Sequence, residues 1–293
     1  MKKIIITSVA ALLIPEVSNC TRATDLKRIT VDGVNYQEYR DGIASAAGEH
    51  PSDSFLPRNQ VSMDGNAFIV SDILGLSKSA RNSSGWDDRL LFVCIPRSAK
   101  TIDISCFDGC AILSYVAFEA SARLTVVGGS AFSFCSALKS ICIPPKVTVL
   151  EKECFSVCRA LGSVVFEPNS KLMTIGKSAF FQCYFLSFIR TPSRVRTFGE
   201  QCFDYCKSLS RVEFKPDSQL ATIEKGAFNR CSALKSICIP FGVQGFDEKC
   251  FEECPNLRRV IFEPGSRLRW IKGGVIPEGV EILNCPLSIP GRQ

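Results

Sequence analysis

Two cysteines four residues apart recur four times, as Cys106 and Cys110, Cys154 and Cys158, Cys202 and Cys206, and Cys250 and Cys254. A Cys-x3-Cys pair can offer two thiolates to a zinc ion or form a dithiol redox centre. The chain itself favours a plainer role. At the intervening equivalent positions the first cysteine is replaced by Ala131, Ala179 and Ala227, so the site asks for a small buried residue, and a thiol is one way to fill it. The other candidate chemistry is sparse. The single histidine, His50, has no fixed spacing to any cysteine or serine, and neither a Cys-His nor a Ser-His-Asp arrangement is supported. No Walker A loop and no G-x-G-x-x-G following a strand occurs. The expectation is a chain that is not an enzyme and holds no cofactor or metal. A net charge of +6 over 293 residues, with no dense Lys/Arg cluster interleaved with aromatics, also argues against nucleic acid as the partner.

The cysteines belong to a longer pattern. Phenylalanine recurs at Phe107, Phe132, Phe155, Phe180, Phe203, Phe228 and Phe251, at alternating intervals of 25 and 23 residues. A cysteine stands three residues after each, from Cys110 to Cys254, and a leucine three further on, from Leu113 to Leu257. Val or Ile follows at the next third position, and Phe or Ile two beyond that, with Thr191 the exception. L-x-x-V/I-x-F/I is a short strand whose inward residues alternate with outward ones. A proline-bearing turn and two more apolar residues, such as Leu172 and Ile175, complete each coil.

Such a coil cannot bury its own Phe, Leu and Val, whereas stacked neighbours cover one another and build a continuous core. Each buried Phe or Leu contributes roughly 1.5–3 kcal/mol. The two extra residues of alternate coils, as in "EPNS", "KPDS" and "EPGS", fit in the turn, where added length costs little. The decamer "CSALKSICIP" occurs identically at 135–144 and 231–240. Its recurrence includes Ser136, Lys139 and Ser140 as Ser232, Lys235 and Ser236, where stacking makes no demand, and so reports duplication of a two-coil unit.

The segments "AFSFCSALKSICIPPKVTVL", "AFNRCSALKSICIPFGV" and "FEPNSKLMTIGKSAF" resemble the BspA-type leucine-rich repeat proteins. The likeness runs over about residues 90–271, and alternate coils depart from it by carrying Cys instead of Ala before the Phe. It implies a curved solenoid, and surface or secreted proteins that bind host or matrix proteins. The expected fold class is thus an α/β solenoid, a leucine-rich repeat array with a parallel β-sheet on one face and short helical turns or short strands on the others. The ladder cysteines are expected to donate weak hydrogen bonds to turn carbonyls.

The ends are atypical, as an array with caps requires. The opening stretch "MKKIIITSVAALLIPEVSNC" has the basic start and apolar run of a signal peptide over residues 1–20, although Glu16 and Asn19 depart from the usual cleavage region. Cys20 stands where a lipoprotein would be acylated, and membrane association is expected only through such a lipid, with Asn19 again unlike a lipobox. Residues 21–89 read as an N-terminal cap or small extra domain, with Asp-Gly turns between short strands at "VDGVNY" and "MDGNAF". The repeats occupy 90–274, starting with Leu90, Val93 and Ile95 in the strand frame. In the C-terminal cap, 275–293, Val275 and Ile276 take the Ala-Phe slot and Gly279 the Cys slot.

Where the repeats break template, a binding surface is expected. In the fourth coil, Tyr184, Phe185, Phe188 and Arg190 replace Ser, Ala, Ser and Cys, and Arg194 and Arg196 follow. Aromatic residues and Arg dominate interaction hot spots. The outward strand positions Tyr115, Arg211, Glu213, Arg259 and Ile261 would extend the patch, with Arg190 and Glu213 placed to pair. The expected function is a non-enzymatic protein-protein interaction module: a monomeric, secreted or cell-surface adhesin-like binder of another protein through the outer face of the repeat sheet. The alternative is a cytoplasmic or injected effector scaffold. The outward thiols Cys94, Cys142 and Cys238 favour that reducing compartment.

Overall fold

The computed structural model describes residues 99–118, 120–273 and 275–287, Phe92–Ile95 with Arg97, and the backbone of five short strands between Arg28 and Leu76. Each coil contributes one four-residue strand and one two-residue strand. The inward residues of the longer strands, such as Ile141 and Ile143 or Ile189 and Thr191, are buried, while their neighbours Ser140, Cys142, Phe188 and Arg190 lie outward. The alternation read in the sequence is therefore the pleat of a parallel sheet.

The two kinds of strand form opposite faces of one core. The two-residue strands make an unbroken nine-stranded parallel sheet from Gly75–Leu76 to Trp270–Ile271. The longer strands fall into three blocks: Gln60–Met63 to Tyr115–Phe118, Ser140–Ile143 to Arg211–Phe214, and Ser236–Ile239 to Glu281–Leu283. Toward the N-terminus, Arg28–Val31 pairs antiparallel with Val34–Gln37, and Gln60–Met63 with Ala67–Val70. Strand pairs thus flank both Asp-Gly sequences, and the turns themselves lie outside the described residues. Ala67–Val70 then pairs in parallel with Phe92–Ile95, so the repeat sheet continues into that region. The signal-like segment 1–20 and the acylation candidate Cys20 also lie outside the described residues.

The third side of the coil corrects the α/β expectation, because no helix occurs among the described residues. Around each ladder phenylalanine the chain makes a run of tight turns. In the fourth coil, Ala179, Phe181 and Cys183 donate their N–H groups three residues back, to Gly176, Ser178 and Phe180. The alternate N–H groups of Ser178, Phe180 and Gln182 instead reach the next coil, at the carbonyls of Glu200, Cys202 and Asp204, 2.8–2.9 Å away. A helix would claim every one of these donors for itself. Left-handed φ values at Ser178 (53°) and Gln182 (58°) aim the alternate N–H groups outward. The same pair of positions is left-handed in the other coils, including Val157 at 60°, a conformation disfavoured for a β-branched residue. Ladder hydrogen bonds between coils offset that cost.

Inside these turns the phenylalanine rings stack face to face. Centroids from Phe107 through Phe251 are 5.1–5.6 Å apart, and planes from Phe132 to Phe251 lie within 9° of parallel. Beside them runs a second ladder, in which each cysteine thiol donates to the carbonyl of the preceding coil's phenylalanine. The Sγ atoms of Cys135, Cys158, Cys183, Cys206, Cys231 and Cys254 lie 3.0–3.3 Å from the carbonyl oxygens of Phe107, Phe132, Phe155, Phe180, Phe203 and Phe228. At the C-terminal end Phe251 donates its N–H to Val275, which occupies the Ala slot as read, and Val275 and Ile276 are buried. The closing strand Glu281–Leu283 still pairs with Arg259–Phe262.

The two ladders differ in weight. Phe180→Ala, which opens a cavity between two stacked rings, is expected to destabilise by roughly 3–5 kcal/mol. Cys183→Ala, which removes one weak hydrogen bond and a sulfur atom, should cost about 1–2 kcal/mol. Urea unfolding followed by circular dichroism reads both, and equal losses would contradict this ordering.

Candidate functional site

The longer-strand sheet presents two outward columns. One reads Tyr115, Ser140, Ser163, Phe188, Arg211, Ser236, Arg259, Glu281, and the other Ala117, Cys142, Val165, Arg190, Glu213, Cys238, Ile261, Leu283. Ser, Ala or Cys fills six of these sixteen positions. At the fourth and fifth coils parallel pairing sets Phe188 beside Arg211 and Arg190 beside Glu213. Both guanidiniums reach over the Phe188 ring, with the Arg190 and Arg211 carbons 5.9 and 5.8 Å from its centroid. Both also hold Glu213: Arg190 Nε lies 2.7 Å from Oε2, and Arg211 Nη2 contacts Oε1. The result is an outward cluster in which two exposed cations meet one aromatic ring and one carboxylate, a surface with apolar area and directional hydrogen bonding together.

The turn leading into this strand adds a second group. Phe185 is 67% exposed, more than any other large apolar side chain described. Beside it the Tyr184 ring lies between Lys207 Nζ, 4.9 Å from its centroid, and the Arg159 guanidinium at 5.7 Å. Lys207 also approaches Tyr205, whose other neighbours are Arg230, 4.6 Å above the ring, and Phe181, edge-on at 5.9 Å. Arg230 in turn forms a two-pronged pair with Glu253, at 2.7 and 3.0 Å.

Tyr184, Phe185, Phe188, Arg190, Arg211 and Glu213 therefore lie on adjacent coils of one surface. Tyr115 and Arg259 occupy the same outward column as Phe188 but each stands three strands away, about 14 Å at ordinary strand spacing. Arg259 is paired with Glu281. Arg194 and Arg196 are not brought in. Arg194 lies in the turn after the strand, and Arg196 precedes Thr197–Phe198 of the opposite sheet, across the core from Phe188. Arg159, Tyr205, Lys207 and Arg230 were missed in the sequence. Their shared signal is position, two or four residues after a ladder phenylalanine.

Beneath the ridge formed by the turn residues Tyr205, Lys207 and Arg230 sits an unusual buried pair. Asp204 and Asn229 are 1% and 5% exposed, and Oδ1 of each lacks a hydrogen-bond donor. Burial pushes the Asp204 carboxyl up to about 6, against the opposing pull of Arg230, 3.8 Å away, and of the Tyr205 N–H and the Asn229 amide.

The cysteines that opened the question of chemistry form no reactive centre among the described residues. Thirteen cysteines are in no disulfide, eleven of them buried. Burial raises the thiol pKa of Cys154, Cys158, Cys183, Cys202, Cys206 and Cys231 well above the usual range, and that of Cys250 to about 12. A thiol so held is neither a nucleophile nor a ready metal ligand. On the outer face Cys238 is free and exposed, whereas Cys142 is disulfide-bonded. The side chain of Cys94 lies outside the described residues.

Residues 87–210 and 167–269 match the model of the BspA type leucine rich repeat region, with six copies. Comparison with curated proteins finds no match. Among solved structures, a leucine-rich repeat protein from Bacteroides ovatus aligns at 18% identity over 78% of this chain and 78% of its own, with a TM-score of 0.51. The pneumococcal vaccine antigen PcpA aligns at 13% identity over 79% and 93%, with a TM-score of 0.37. A leucine rich cell surface protein from Faecalibacterium prausnitzii does so at 17% over 84% and 97%, with a TM-score of 0.27.

Two measurements probe this region. Because the folded state raises the Asp204 pKa from 3.8 to about 6, its contribution is fully present below pH 4 and is lost as pH rises through 6, a change of roughly 2–3 kcal/mol. Asp204→Asn should remove that slope, so the difference in urea midpoint between variant and parent should grow toward the variant from pH 4 to 7. Parallel curves would contradict the burial argument. In native protein at pH 8, iodoacetamide should label Cys238 well before the ladder thiols, and mass spectrometry of the digest reads the order.

Proposed function

The chain belongs to the BspA-type leucine-rich repeat family, and on that premise we propose that it is a non-enzymatic, monomeric protein-binding module that engages its partner through the longer-strand sheet around Phe188. The observation that carries the reading is the concentration of departures from the repeat template at one outward location. Where the second and sixth coils place Ser and Cys, the fourth places Phe188 and Arg190, and the neighbouring strand adds Arg211 and Glu213. Nothing in the stacking requires these residues, since Ser140 with Cys142 and Ser236 with Cys238 fill the same positions. Ring and guanidiniums hold one another in place before any partner arrives, which lowers the ordering cost of binding.

The favoured setting is the cell surface or the extracellular space, with a host or matrix protein as partner. The signal-like residues 1–20 and the disulfide at Cys142 support it. A second reading, an intracellular or injected effector scaffold using the same face, draws support from the free, exposed thiol of Cys238.

Phe188→Ser combined with Arg190→Cys restores the repeat template and is expected to leave the unfolding midpoint nearly unchanged. Against a panel of immobilised host matrix proteins, the parent should bind at least one saturably, and the double variant should lose that binding by about tenfold or more. Equal affinity in a folded double variant would overturn the site. Intact mass of the protein from its native cells separates the two settings, by whether the chain starts near residue 20.

A further inference from the structure

Charge in the repeat is sorted by position. From the fourth to the tenth residue after each ladder phenylalanine, Phe107 to Phe251, the chain carries eight basic residues and a single acid, Glu213. From the fourth residue before the phenylalanine to the second after, the same coils carry eleven acidic residues and five basic. The first stretch is the turn entering the longer strand and the strand's outward face, and the second is the ladder turn. One edge of the coil is acidic and the sheet face is basic.

Among the described residues, six of the eleven acids on the acidic edge form ion pairs, such as Lys177 with Glu200, Lys225 with Glu248 and Arg230 with Glu253. The sheet face differs. Lys139, Arg159, Lys207 and Lys235 are exposed, and the ion pairs among the described residues leave all four uncompensated. Arg258 spends its guanidinium on the carbonyls of Pro255 and Leu257. Carboxylates meet the face at two places: Glu281 pairs with Arg259 on the closing strand, and at Phe188 Glu213 lies between Arg190 and Arg211 against the ring.

Building on the proposed binding face, we infer that its partner presents an acidic peptide segment, and that Glu213 holds the place of an incoming Asp or Glu carboxylate. The geometry favours carboxylates. The contact shown is a planar carboxylate between two guanidinium forks, and the remaining cations come one or two per coil along a strip about 25–30 Å long. A nucleic acid or sulfated glycan would be expected to meet denser clusters of cations.

The test uses the full chain and a short fluorescein-labelled Glu/Ser peptide, followed by fluorescence anisotropy. Binding should weaken steeply with added salt. Glu213→Ala should tighten it roughly 3- to 10-fold by releasing two arginines, and Glu213→Gln, which keeps the shape and removes only the charge, should act likewise. Lys139→Glu with Lys235→Glu should weaken it about tenfold or more. Absence of tightening in both folded Glu213 variants overturns the inference. So does tighter binding of a single-stranded oligonucleotide or a heparin-type oligosaccharide than of the peptide. Either failure leaves the Phe188 site standing if the Ser/Cys double variant still loses its matrix partner, so the two ideas fail separately.

Discussion

The stack of phenylalanine rings, with the thiol ladder beside it, is the constraint from which the rest of the solenoid follows. Rings about 5.5 Å apart and almost parallel fix both the spacing and the direction in which coils follow one another. That spacing is close enough to the rise between strands for backbone ladders to form on both sheet faces at once. The thiol of each coil closes on the phenylalanine carbonyl of the coil before it, adding a second donor to an acceptor that already takes the N–H three residues on and so tying one coil to the next. An asparagine would reach such an acceptor with a full amide; a thiol does so with little polarity, which suits a site surrounded by Phe and Leu.

The frame of this architecture was legible because packing enforces it. Phe155, Cys158 and Leu161 are all fully buried, and residues with no exposure leave a periodic trace. The turn conformation was not legible. Its left-handed positions carry Phe134, Val157, Gln182 and Tyr205, residue types that give no hint of positive φ, with Gly109 and Gly226 the exceptions. Local preference pointed to short helical turns, and hydrogen bonds between coils overrode it. In the binding surface, Phe188 and Arg190 were readable as departures at outward positions, because neighbouring coils supply the comparison. Arg159 and Lys207 were not, since turn positions vary freely. Arg194 and Arg196 were misplaced because nearness in sequence across a turn becomes distance across the core.

Rigidity and exposure meet at the fourth and fifth coils. Phe188 is supported below by Ile189 and Val212, both buried in the stack, and its face is flanked by two guanidiniums that Glu213 restrains. On the adjoining ridge, Asp204 is buried with an unsatisfied oxygen under Tyr205 and Arg230. That arrangement reduces stability near neutral pH without any gain to the ladder. Polar strain of this kind, next to an exposed aromatic cluster, is the pattern expected where a surface has been shaped for something other than folding.

A column of identical strands has a symmetry problem of its own. Ser140 and Cys142 on one strand are matched by Ser236 and Cys238 four strands along, with Lys139 and Lys235 beside them. A rigid partner reading only the lysine and serine of each copy would find two equivalent places to sit, about 19 Å apart. Translational degeneracy of that sort spreads a ligand over several registers and fixes none of them. Phe188 with its paired guanidiniums lies midway between the two copies and occurs once. It gives the ruler an origin, so that a repetitive surface can be read from a single starting point.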